Sequence, residues 1–398
     1  MAALDHVCLA SIEWEFLWQG PQEVMASLAR AGDRVLYVEN TGIRAPHVTA
    51  ADLSRIVQRA RSWSARPAGA PAQGEPRVTI MSPLVLPFPW SAAARRANRI
   101  LLADRLPAKA VAVGMERPVV WSFLPSPLAL DVMRAFRGRR ALAVYYCMQD
   151  FEKVSDRPAA LVRAEEELLG EVDVVFSGSR FLHERLARLH PHVVQAPVTV
   201  GERFFEPPAE SAPADIGLIP PPRVGYLGGI HRHFDVGLVA SVARRMPDVQ
   251  FVLVGLVTEG VDIAPLRLRN VHLLGPRPHA DLPAYVDAFD VGLIPYHRNP
   301  FTATVWPTKL HEYLARGKPV VSTSLPEVVA MAYPAESVRV ADDPSATEVA
   351  IRMALASGPD DRRRQAAALH RSSRVMGEVR GVVAKAVGPS SDRLSSDR

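Results

Sequence analysis

Two residues near the C-terminal end of the sequence have the types and the spacing of a nucleotide-binding pair. In the segment PTKLHEYLARGKPVV, Lys309 and Glu312 lie three residues apart, so they would share one face of a helix. A lysine ammonium can bind phosphate and a glutamate carboxylate can bind ribose hydroxyls, which together would suit a nucleoside diphosphate. The same spacing is typical of an exposed ion pair that stabilises a helix, and the residues alone leave both interpretations open.

A glycine-rich segment, GYLGGIHRH, could supply a second set of phosphate contacts. Gly228 and Gly229 follow an apolar, strand-like run and precede a helical pattern. Glycine lets the backbone approach a phosphate closely, and the first turn of a following helix presents amide groups that can donate to it. Arg232 and the two histidines of the segment, His231 and His233, could add positive charge. An ordinary tight turn is the alternative interpretation of the two glycines.

Several familiar motifs are missing from the sequence. No G-x-G-x-x-G follows a strand, no G-x-x-x-x-G-K-[ST] occurs and no G-x-S-x-G occurs, which disfavours nicotinamide enzymes, P-loop proteins and α/β hydrolases. The histidines of the second half match no metal-ligand spacing, so no metal site is expected. Cys8 and Cys147, the two cysteines, lie in apolar runs and provide neither a disulfide framework nor a metal site.

The elements that would position these residues alternate between strands and helices. The chain has 398 residues, 48% of them apolar and 22% charged, which is typical of a soluble globular protein of about two domains. Strand-like runs such as RVLYV, LAVYYC, RVGYL and VQFVLV are separated by helical patterns. This alternation predicts an α/β protein with two Rossmann-like, doubly wound domains that face a ligand cleft at the carboxyl ends of their strands.

A change of composition predicts the domain boundary. The run EPPAESAPADIGLIPPP is rich in proline and has no helical or strand periodicity, so it predicts a linker over 206–222. The linker would join an N-terminal domain, 1–205, to a C-terminal domain, 223–375. A C-terminal segment, 376–398, ends in the low-complexity tail PSSDRLSSDR, which is expected to be disordered.

Positive charge is concentrated in one part of the first half. The whole chain has a net charge of +5, whereas 51–118 contains eleven Arg or Lys against four Asp or Glu. This asymmetry hints at an anionic partner or a membrane surface. The segment 90–105 has an apolar and a basic side, so it could dock on an anionic membrane, or it could be an ordinary surface helix. No nucleic-acid-binding signature, secretory signal or membrane-spanning run occurs, which favours a cytoplasmic protein.

Longer stretches of the sequence resemble a known enzyme family. The runs HLLGPRPHADLPAYVDAFDVGLIPY and PTKLHEYLARGKPVVSTSLPEV resemble the C-terminal donor domain of GT-B glycosyltransferases, and the pattern is closest to glycosyltransferase family 4 and its teichuronic-acid-type relatives. At the N-terminus, ASIEWEFLWQGPQEVMASLARAGDRVLYVENTG and the later run YYCMQDF resemble the same relatives. The resemblance covers most of residues 6–330 and is specific in the C-terminal half.

The resemblance implies how the donor would be bound. Glu312 would bind the ribose, Lys309 the diphosphate, and Arg232 would be a second phosphate contact. Gly20, before the first helix, would approach the donor phosphates from the N-terminal domain. The backbone at Leu274-Gly275 would border the base.

The sequence departs from the family pattern on the sugar side. Thr304 stands where the family often has a glutamate, so the usual acidic contact to the sugar is absent. Gln149-Asp150 replaces a His-Asp or Asp-Asp pair near the anomeric carbon. The resemblance implies that Asp150 is catalytic and that Gln149 positions the sugar, whereas a helix-capping or turn role is the alternative for Asp150.

Aromatic residues after the first strand could bind an acceptor. Trp14, Phe16 and Trp18 cluster in the half that would hold the acceptor, and aromatic rings stack on sugar or apolar faces. They could equally belong to the hydrophobic core.

Together these features predict a cytoplasmic GT-B glycosyltransferase that moves a sugar from a nucleoside diphosphate to a hydroxyl acceptor. A peripheral position at the inner membrane face stays open. The acceptor would be a surface glycan, a lipid-linked intermediate or a small natural product. By the resemblance the reaction retains the anomeric configuration, and basic side chains and helix N-termini would replace a metal. No cofactor besides the substrate and no nucleic-acid partner is expected. A sugar-nucleotide 2-epimerase on the same scaffold and a noncatalytic sugar-nucleotide-binding protein stay open as alternatives.

Overall fold

A computed structural model of the protein describes residues 2–15, 18–39, 41, 70–72, 74–153, 157–208 and 210–388. The chain divides into a first unit, Met1–Pro197 with Ser372–Arg398, and a second unit, Val198–Arg371. The low-complexity tail that was predicted to be disordered lies outside the described residues.

The strands within these ranges number fourteen. They are β1 (Asp5–Leu9), β2 (Arg34–Val38), β3 (Ala70–Ala72), β4 (Glu75–Met81), β5 (Val119–Ser122), β6 (Leu142–Cys147), β7 (Val174–Ser177), β8 (Val193–Gln195), β9 (Arg223–Leu227), β10 (Gln250–Val254), β11 (Val271–Gly275), β12 (Val291–Ile294), β13 (Val320–Ser322) and β14 (Val338–Val340).

Helices separate most of these strands. In the described parts of the chain they are α1 (Gly20–Arg30), α2 (Ala92–Asn98), α3 (Leu106–Ala112), α4 (Pro127–Ala135), α5 (Pro158–Leu169), α6 (Arg180–Leu186), α7 (Ala214–Gly217), α8 (Val236–Arg245), α9 (Leu282–Asp287), α10 (Thr308–Ala315), α11 (Pro326–Ala330), α12 (Pro344–Leu355), α13 (Asp361–Ala368) and α14 (Ser372–Val387). A π-helix, Arg99–Ala103, follows α2 directly.

The first unit contains an eight-stranded sheet with the order β3-β4-β2-β1-β5-β6-β7-β8. All neighbouring strands are parallel except β3 and β4, which pair antiparallel at one edge. Central strands such as VVWS and LAVYYC are buried along their whole length. Continuous apolar runs of this kind are typical of parallel strands that helices cover on both faces.

The second unit contains a six-stranded parallel sheet with the order β11-β10-β9-β12-β13-β14. In order of appearance this is 3-2-1-4-5-6, the strand order of the Rossmann fold. Two strand glycines let aromatic side chains pack directly on the sheet. A Cβ added at Gly225 would lie 2.1 Å from the ring of Phe289, and one added at Gly292 would lie 2.3 Å from the ring of Tyr313. The predicted fold class is confirmed.

The C-terminal helix returns to the first unit, so its predicted assignment to a separate segment after residue 375 is corrected. The apolar face of α14 enters the core beside α1 through Val375, Met376, Val379 and Val383. On the same helix, the Arg380 guanidinium donates to both carboxylate oxygens of Asp33, each at 2.8 Å. Burial of this helix face explains why the unit closes with residues that are distant in sequence.

The proline-rich segment 206–222 belongs to the second unit and is not a free linker. Ile216 and Ile219 lie in the hydrophobic core of that unit. The carboxylate of Asp215 accepts hydrogen bonds from Arg277 at 2.7 Å and from the Tyr285 hydroxyl at 2.9 Å. Prolines interrupt the helical periodicity of this segment, which hides the apolar contacts that anchor it.

No helix in the described ranges combines the length and the apolar character needed to cross a bilayer.

Candidate functional site

The site of the second unit forms where the strand order of its sheet reverses. The loops 228–235, after β9, and 295–307, after β12, lie side by side because these two strands are neighbours. The backbone amide of Asp235 donates to the Pro295 carbonyl at 2.7 Å, which ties one loop to the other. In open α/β sheets, ligands bind at the carboxyl ends of the strands at this reversal.

Lys309 extends from the first turn of α10 over the backbone of Gly228. A Cβ added at Gly228 would lie 2.5 Å from the lysine Cε and 2.8 Å from its Nζ, and the φ angle of Gly228 is +119°. The positive φ angle favours glycine at this position, and a Cβ there would displace the end of the lysine side chain. The ammonium lies 5.5 Å from the ring centre of Tyr226 and 5.6 Å from that of Tyr296. These distances allow cation–π attraction that holds the lysine in place.

The charge of Lys309 persists although the side chain is partly buried. Burial lowers the pKa of Lys309, but the hydroxyl of Tyr296 and the carboxylate of Glu312 outweigh that effect, and the net pKa is raised. Glu312 lies three residues further along α10 and is also partly buried. The opposite face of the helix is anchored in the core through Leu310, Tyr313 and Leu314. The helix therefore presents a cation and a carboxylate together.

The β9–α8 loop carries three consecutive polar side chains, and the first of them, His231, interacts with Lys309. His231 is partly buried, and its Nδ1 accepts from the backbone amide of His233 at 3.1 Å. Burial, and then the positive charge of Lys309, lower the pKa of His231 to about 4, so the imidazole is neutral near pH 7. Arg232 is exposed, and its Nε donates to Nε2 of His233 at 3.2 Å.

The N-terminus of α8 is less available to an anion than the sequence suggested. The Asp235 carboxylate accepts from the Leu238 amide at 2.8 Å and caps the helix. A carboxylate there satisfies one free amide and disfavours a second anion, and the expected phosphate contact with this helix stays a prediction. By contrast, α10 begins at Thr308 without a side-chain cap.

Two further predicted donor contacts have different surroundings. Leu274 and Gly275 end β11, the edge strand of the sheet, and both are partly exposed. Thr304 is buried, and its hydroxyl donates to the Phe301 carbonyl at 2.9 Å within the short turn Thr302–Thr304. Its hydroxyl thus has a partner inside the loop, and a contact between Thr304 and a donor stays a prediction.

In the first unit, Gln149 and Asp150 directly follow β6. Asp150 is 2% exposed, and burial raises the pKa of its carboxyl group, an effect that Arg185 and Lys153 oppose. Its carbonyl accepts from the Lys153 amide at 3.2 Å, so Asp150 begins the short turn Phe151–Lys153. The turn role weighed in the sequence is therefore present, and the catalytic role stays a prediction.

A partly buried ion pair lies beside this turn. Arg185 donates to the carboxylate of Glu165 at 2.5 and 3.0 Å, and the Tyr145 hydroxyl donates to the same carboxylate at 2.8 Å. The thiol of Cys147 donates to the Gln149 carbonyl at 3.4 Å. Burial raises the pKa of Cys147 to about 12, which makes it a structural thiol and not a nucleophile.

Gly20 is the first residue of α1, which follows β1. The backbone amide of Gln19 donates to the side-chain oxygen of Gln22 at 3.0 Å, which stabilises this first turn. Since β1, β5 and β6 are parallel neighbours, Gly20 and Asp150 lie at the same edge of the sheet.

The aromatic residues that were expected to bind an acceptor are largely structural. Trp14 is 4% exposed and packs edge-to-face on Tyr37, with ring centres 4.9 Å apart. Because its faces are covered, Trp14 is a core residue and not the predicted acceptor contact. Trp18 is partly buried, and its Nε1 donates to Glu23 at 2.8 Å. Phe16 lies outside the described residues.

Comparison with known proteins gives a family match for part of the second unit. Residues 221–357 match the family model described as Glycosyl transferases group 1. A Bacillus subtilis (strain 168) protein named as a teichuronic acid biosynthesis glycosyltransferase is 38% identical over 114 residues. That stretch is 28% of this chain and 29% of that protein, so the chain matches less than a third of its curated relative.

Solved structures share the fold of both units. Sucrose-phosphate synthase from Thermosynechococcus elongatus matches with a TM-score of 0.71 at 15% identity, over 96% of this chain and 98% of that chain. Anabaena HepE in complex with UDP-glucose matches with a TM-score of 0.64 at 14% identity, over 96% of this chain and 99% of that chain. The protein therefore has the GT-B fold, as the resemblance predicted.

Within the second unit, the structure brings Lys309 next to Gly228 and to His231 of the loop 228–235. Sequence reasoning missed Tyr226 and Tyr296, which flank the lysine. The sequence offered one signal for them, because Tyr226 lies near the carboxyl end of β9 and Tyr296 lies just after β12. No cluster of three or more His, Cys, Asp or Glu that could hold a metal occurs among the residues described.

Proposed function

We propose that this protein is a glycosyltransferase that moves a sugar from a nucleoside diphosphate to a hydroxyl acceptor. The observation that carries the proposal is the position of Lys309 over the Gly228 backbone, within the residues that match the group 1 glycosyltransferase family model. A diphosphate would bind at the ammonium, and Glu312, on the same helix, would accept hydrogen bonds from the ribose hydroxyls. The backbone at Leu274-Gly275 would border the base.

In the proposed reaction, the bond between the anomeric carbon and the diphosphate oxygen breaks, and the oxygen keeps the electron pair. The charge of Lys309 and Arg232, with the uncapped start of α10, would stabilise the departing diphosphate. The acceptor oxygen bonds to the anomeric carbon, and its proton passes to the diphosphate. These donors would make a divalent metal unnecessary. Retention of configuration rests on the family resemblance.

Asp150 of the first unit is the proposed catalytic carboxylate, and Gln149 would position the sugar. A carboxylate can stabilise the positive charge that develops on the sugar ring as the glycosidic bond breaks. Burial raises the pKa of the Asp150 carboxyl group, whereas the positive charges of Arg185 and Lys153 favour its charged form.

Calorimetric titration with a panel of nucleoside diphosphates and their sugars tests the donor site. UDP-glucose is the first donor to try, since HepE was solved with it. We expect base-selective binding that Glu312→Ala abolishes and that Glu336→Ala, a change at an exposed acid of the same unit, leaves intact. If the wild-type protein binds no nucleotide, the proposal is wrong.

Turnover measurements then test the transfer step. Asp150→Asn should keep donor binding but lower the transfer rate by about 100-fold or more, the usual effect of losing a charged catalytic group. If the protein consumes the donor without an acceptor and releases an epimerised sugar, it is a sugar-nucleotide 2-epimerase and not a transferase. Binding without turnover on glycan, lipid-linked and small-molecule acceptors would make the protein a noncatalytic binder.

We also propose that the first unit contacts an anionic membrane at the cytoplasmic face. The Asn98 side chain holds the loop 84–88 beside α2 through two hydrogen bonds with the Leu86 backbone, at 2.6 and 2.9 Å. The segment 84–109, called the apolar-basic patch, exposes five large apolar side chains and four cations, one of which, Arg99, pairs with Asp104 at 3.4 Å. They are Leu84, Leu86, Phe88, Ile100 and Leu101, with Arg96, Arg99, Arg105 and Lys109.

The composition of the patch fits insertion of apolar side chains next to anionic headgroups. The predicted helix over 90–105 is interrupted by the π-helix, and its inner side packs on the unit through Ala94, Leu102 and Ala103. Sedimentation with vesicles should show binding to phosphatidylglycerol-containing lipid that Phe88→Ser with Ile100→Ser weakens. Equal binding to neutral vesicles would contradict a role of the basic side chains. No binding to either kind of vesicle would refute the proposed membrane contact.

A further inference from the structure

His231 lies in the donor site, and the function proposed above assigns it no role. The backbone of the preceding residue, Ile230, is held from two directions. The Ile230 amide donates to the Leu256 carbonyl at 2.9 Å, and the Thr258 amide donates to the Ile230 carbonyl at 3.0 Å. The loop at this point is therefore fixed to the end of β10, and the position of the imidazole is set before any ligand binds.

The contacts of His231 also determine which nitrogen carries the proton. Because the His233 amide donates to Nδ1 at 3.1 Å, Nδ1 must hold a lone pair. In a neutral imidazole the proton is then on Nε2, so Nε2 is a hydrogen-bond donor. The ring carbon bonded to Nε2, Cδ2, would lie 3.7 Å from a Cβ added at Gly229. The donor edge of the ring thus lies along the glycine backbone.

Charges around the ring favour a neutral donor. Lys309 from α10 and Arg232 and His233 from the same loop all face His231, and burial adds to their effect on the imidazolium form. The ring of Tyr296, which follows β12, has its centre 5.5 Å from that of His231. The site can therefore contribute a hydrogen bond at this point without bringing another full positive charge next to Lys309.

We propose that His231 donates a hydrogen bond from Nε2 to the diphosphate of the sugar nucleotide. The inference rests on the proposed function and adds a specific binding residue to it. As the glycosidic bond breaks, negative charge on the diphosphate increases, so the bond strengthens when it is most needed. In this arrangement Lys309 provides a positive charge next to the diphosphate, and His231 provides a hydrogen bond with a defined direction.

Three variants test the assignment by calorimetry with UDP-glucose, GDP-mannose and dTDP-glucose. His231→Ala should raise the Kd of the bound sugar nucleotide by about 10- to 100-fold, because a hydrogen bond to a charged group is lost. His231→Gln should stay within about threefold of wild type, since the glutamine amide donates from nearly the same position as Nε2. His192→Gln, at an exposed histidine of the first unit, is the control.

The outcomes separate this inference from the proposed function. Wild-type affinity in His231→Ala, with binding still lost in Glu312→Ala, would overturn the role of His231 and leave the donor site standing. Failure of His231→Gln to restore affinity, with its urea unfolding midpoint unchanged, would also overturn the hydrogen-bond assignment. If the wild-type protein binds none of the three sugar nucleotides, both the proposed function and the proposed role of His231 are wrong.

Discussion

Replacing Gly228 by alanine tests the central feature of the donor site, the position of Lys309 over the glycine backbone. The new Cβ would lie 2.5 Å from the lysine Cε and 2.8 Å from Nζ, whereas non-bonded carbon atoms prefer about 3.5–4.0 Å. The end of the lysine must therefore move by about 1 Å or more. This movement is easy for a flexible side chain, but it takes the charge away from the proposed phosphate position.

Two free-energy changes follow, and they appear in different measurements. Alanine at a φ angle of +119° is strained, which should lower the free energy of unfolding by about 1–3 kcal/mol. The displaced ammonium loses a charge-assisted hydrogen bond of about 1.5–3 kcal/mol, which corresponds to a Kd about 10- to 150-fold higher for the nucleoside diphosphate.

Urea unfolding and nucleotide titration measure the two effects separately. Gly260→Ala is the matched control, because Gly260 has a φ angle of +82° and nothing within 4 Å of an added Cβ. It should lose a similar amount of stability but keep wild-type nucleotide affinity. If Gly228→Ala also keeps wild-type affinity, the reasoning about Lys309 is refuted.

Three further measurements probe the packing of the two units. Asp33→Ala leaves the buried guanidinium of Arg380 without its carboxylate, and we expect the first unit to lose about 3–5 kcal/mol of unfolding free energy in urea; a loss below about 1 kcal/mol would contradict this. In wild type, burial raises the pKa of Asp33, but hydrogen bonds from His6 and Arg380 outweigh it and hold the folded pKa well below the unfolded value. The stabilisation is thus complete above the unfolded pKa of about 3.9 and is lost as pH falls through the folded pKa, so the stabilities of wild type and Asp33→Ala should converge in acid; a constant difference would argue against the linkage. Tyr313→Phe removes the hydroxyl that accepts from the buried Leu227 amide at 2.8 Å, which should lower the urea stability of the second unit by about 1–3 kcal/mol; an unchanged midpoint would mean that this bond is dispensable.

Local spacing accounts for the features that could be predicted. Strand and helix periods repeat within a few residues, so apolar runs such as LAVYYC indicate buried parallel strands before any contact is known. The same argument applies to Lys309 and Glu312, because helix geometry alone puts residues three apart on one face. Gly228 is a further local feature, because its backbone adopts a positive φ angle that glycine tolerates without strain.

Contacts between distant residues account for what sequence reasoning missed. An amphipathic pattern shows that 372–387 is a helix with an apolar face, but it does not show that the face packs beside α1. The ion pair between Asp33 and Arg380 joins residues 347 positions apart. Likewise, the apolar anchors Ile216 and Ile219 are too few to show a period, so the segment 206–222 resembles a linker until its core contacts are known.

The sequence by itself determined the two α/β units, the helix α10 and its cation–carboxylate pair, because each depends on interactions within a turn or a strand. Only the tertiary structure decided that Trp14 is in the core, that Asp235 caps α8, and that Tyr226 and Tyr296 flank the lysine. Those outcomes depend on which strands are neighbours in the sheet. Strand order depends on contacts between residues that are distant in the sequence, so it cannot be predicted from local spacing.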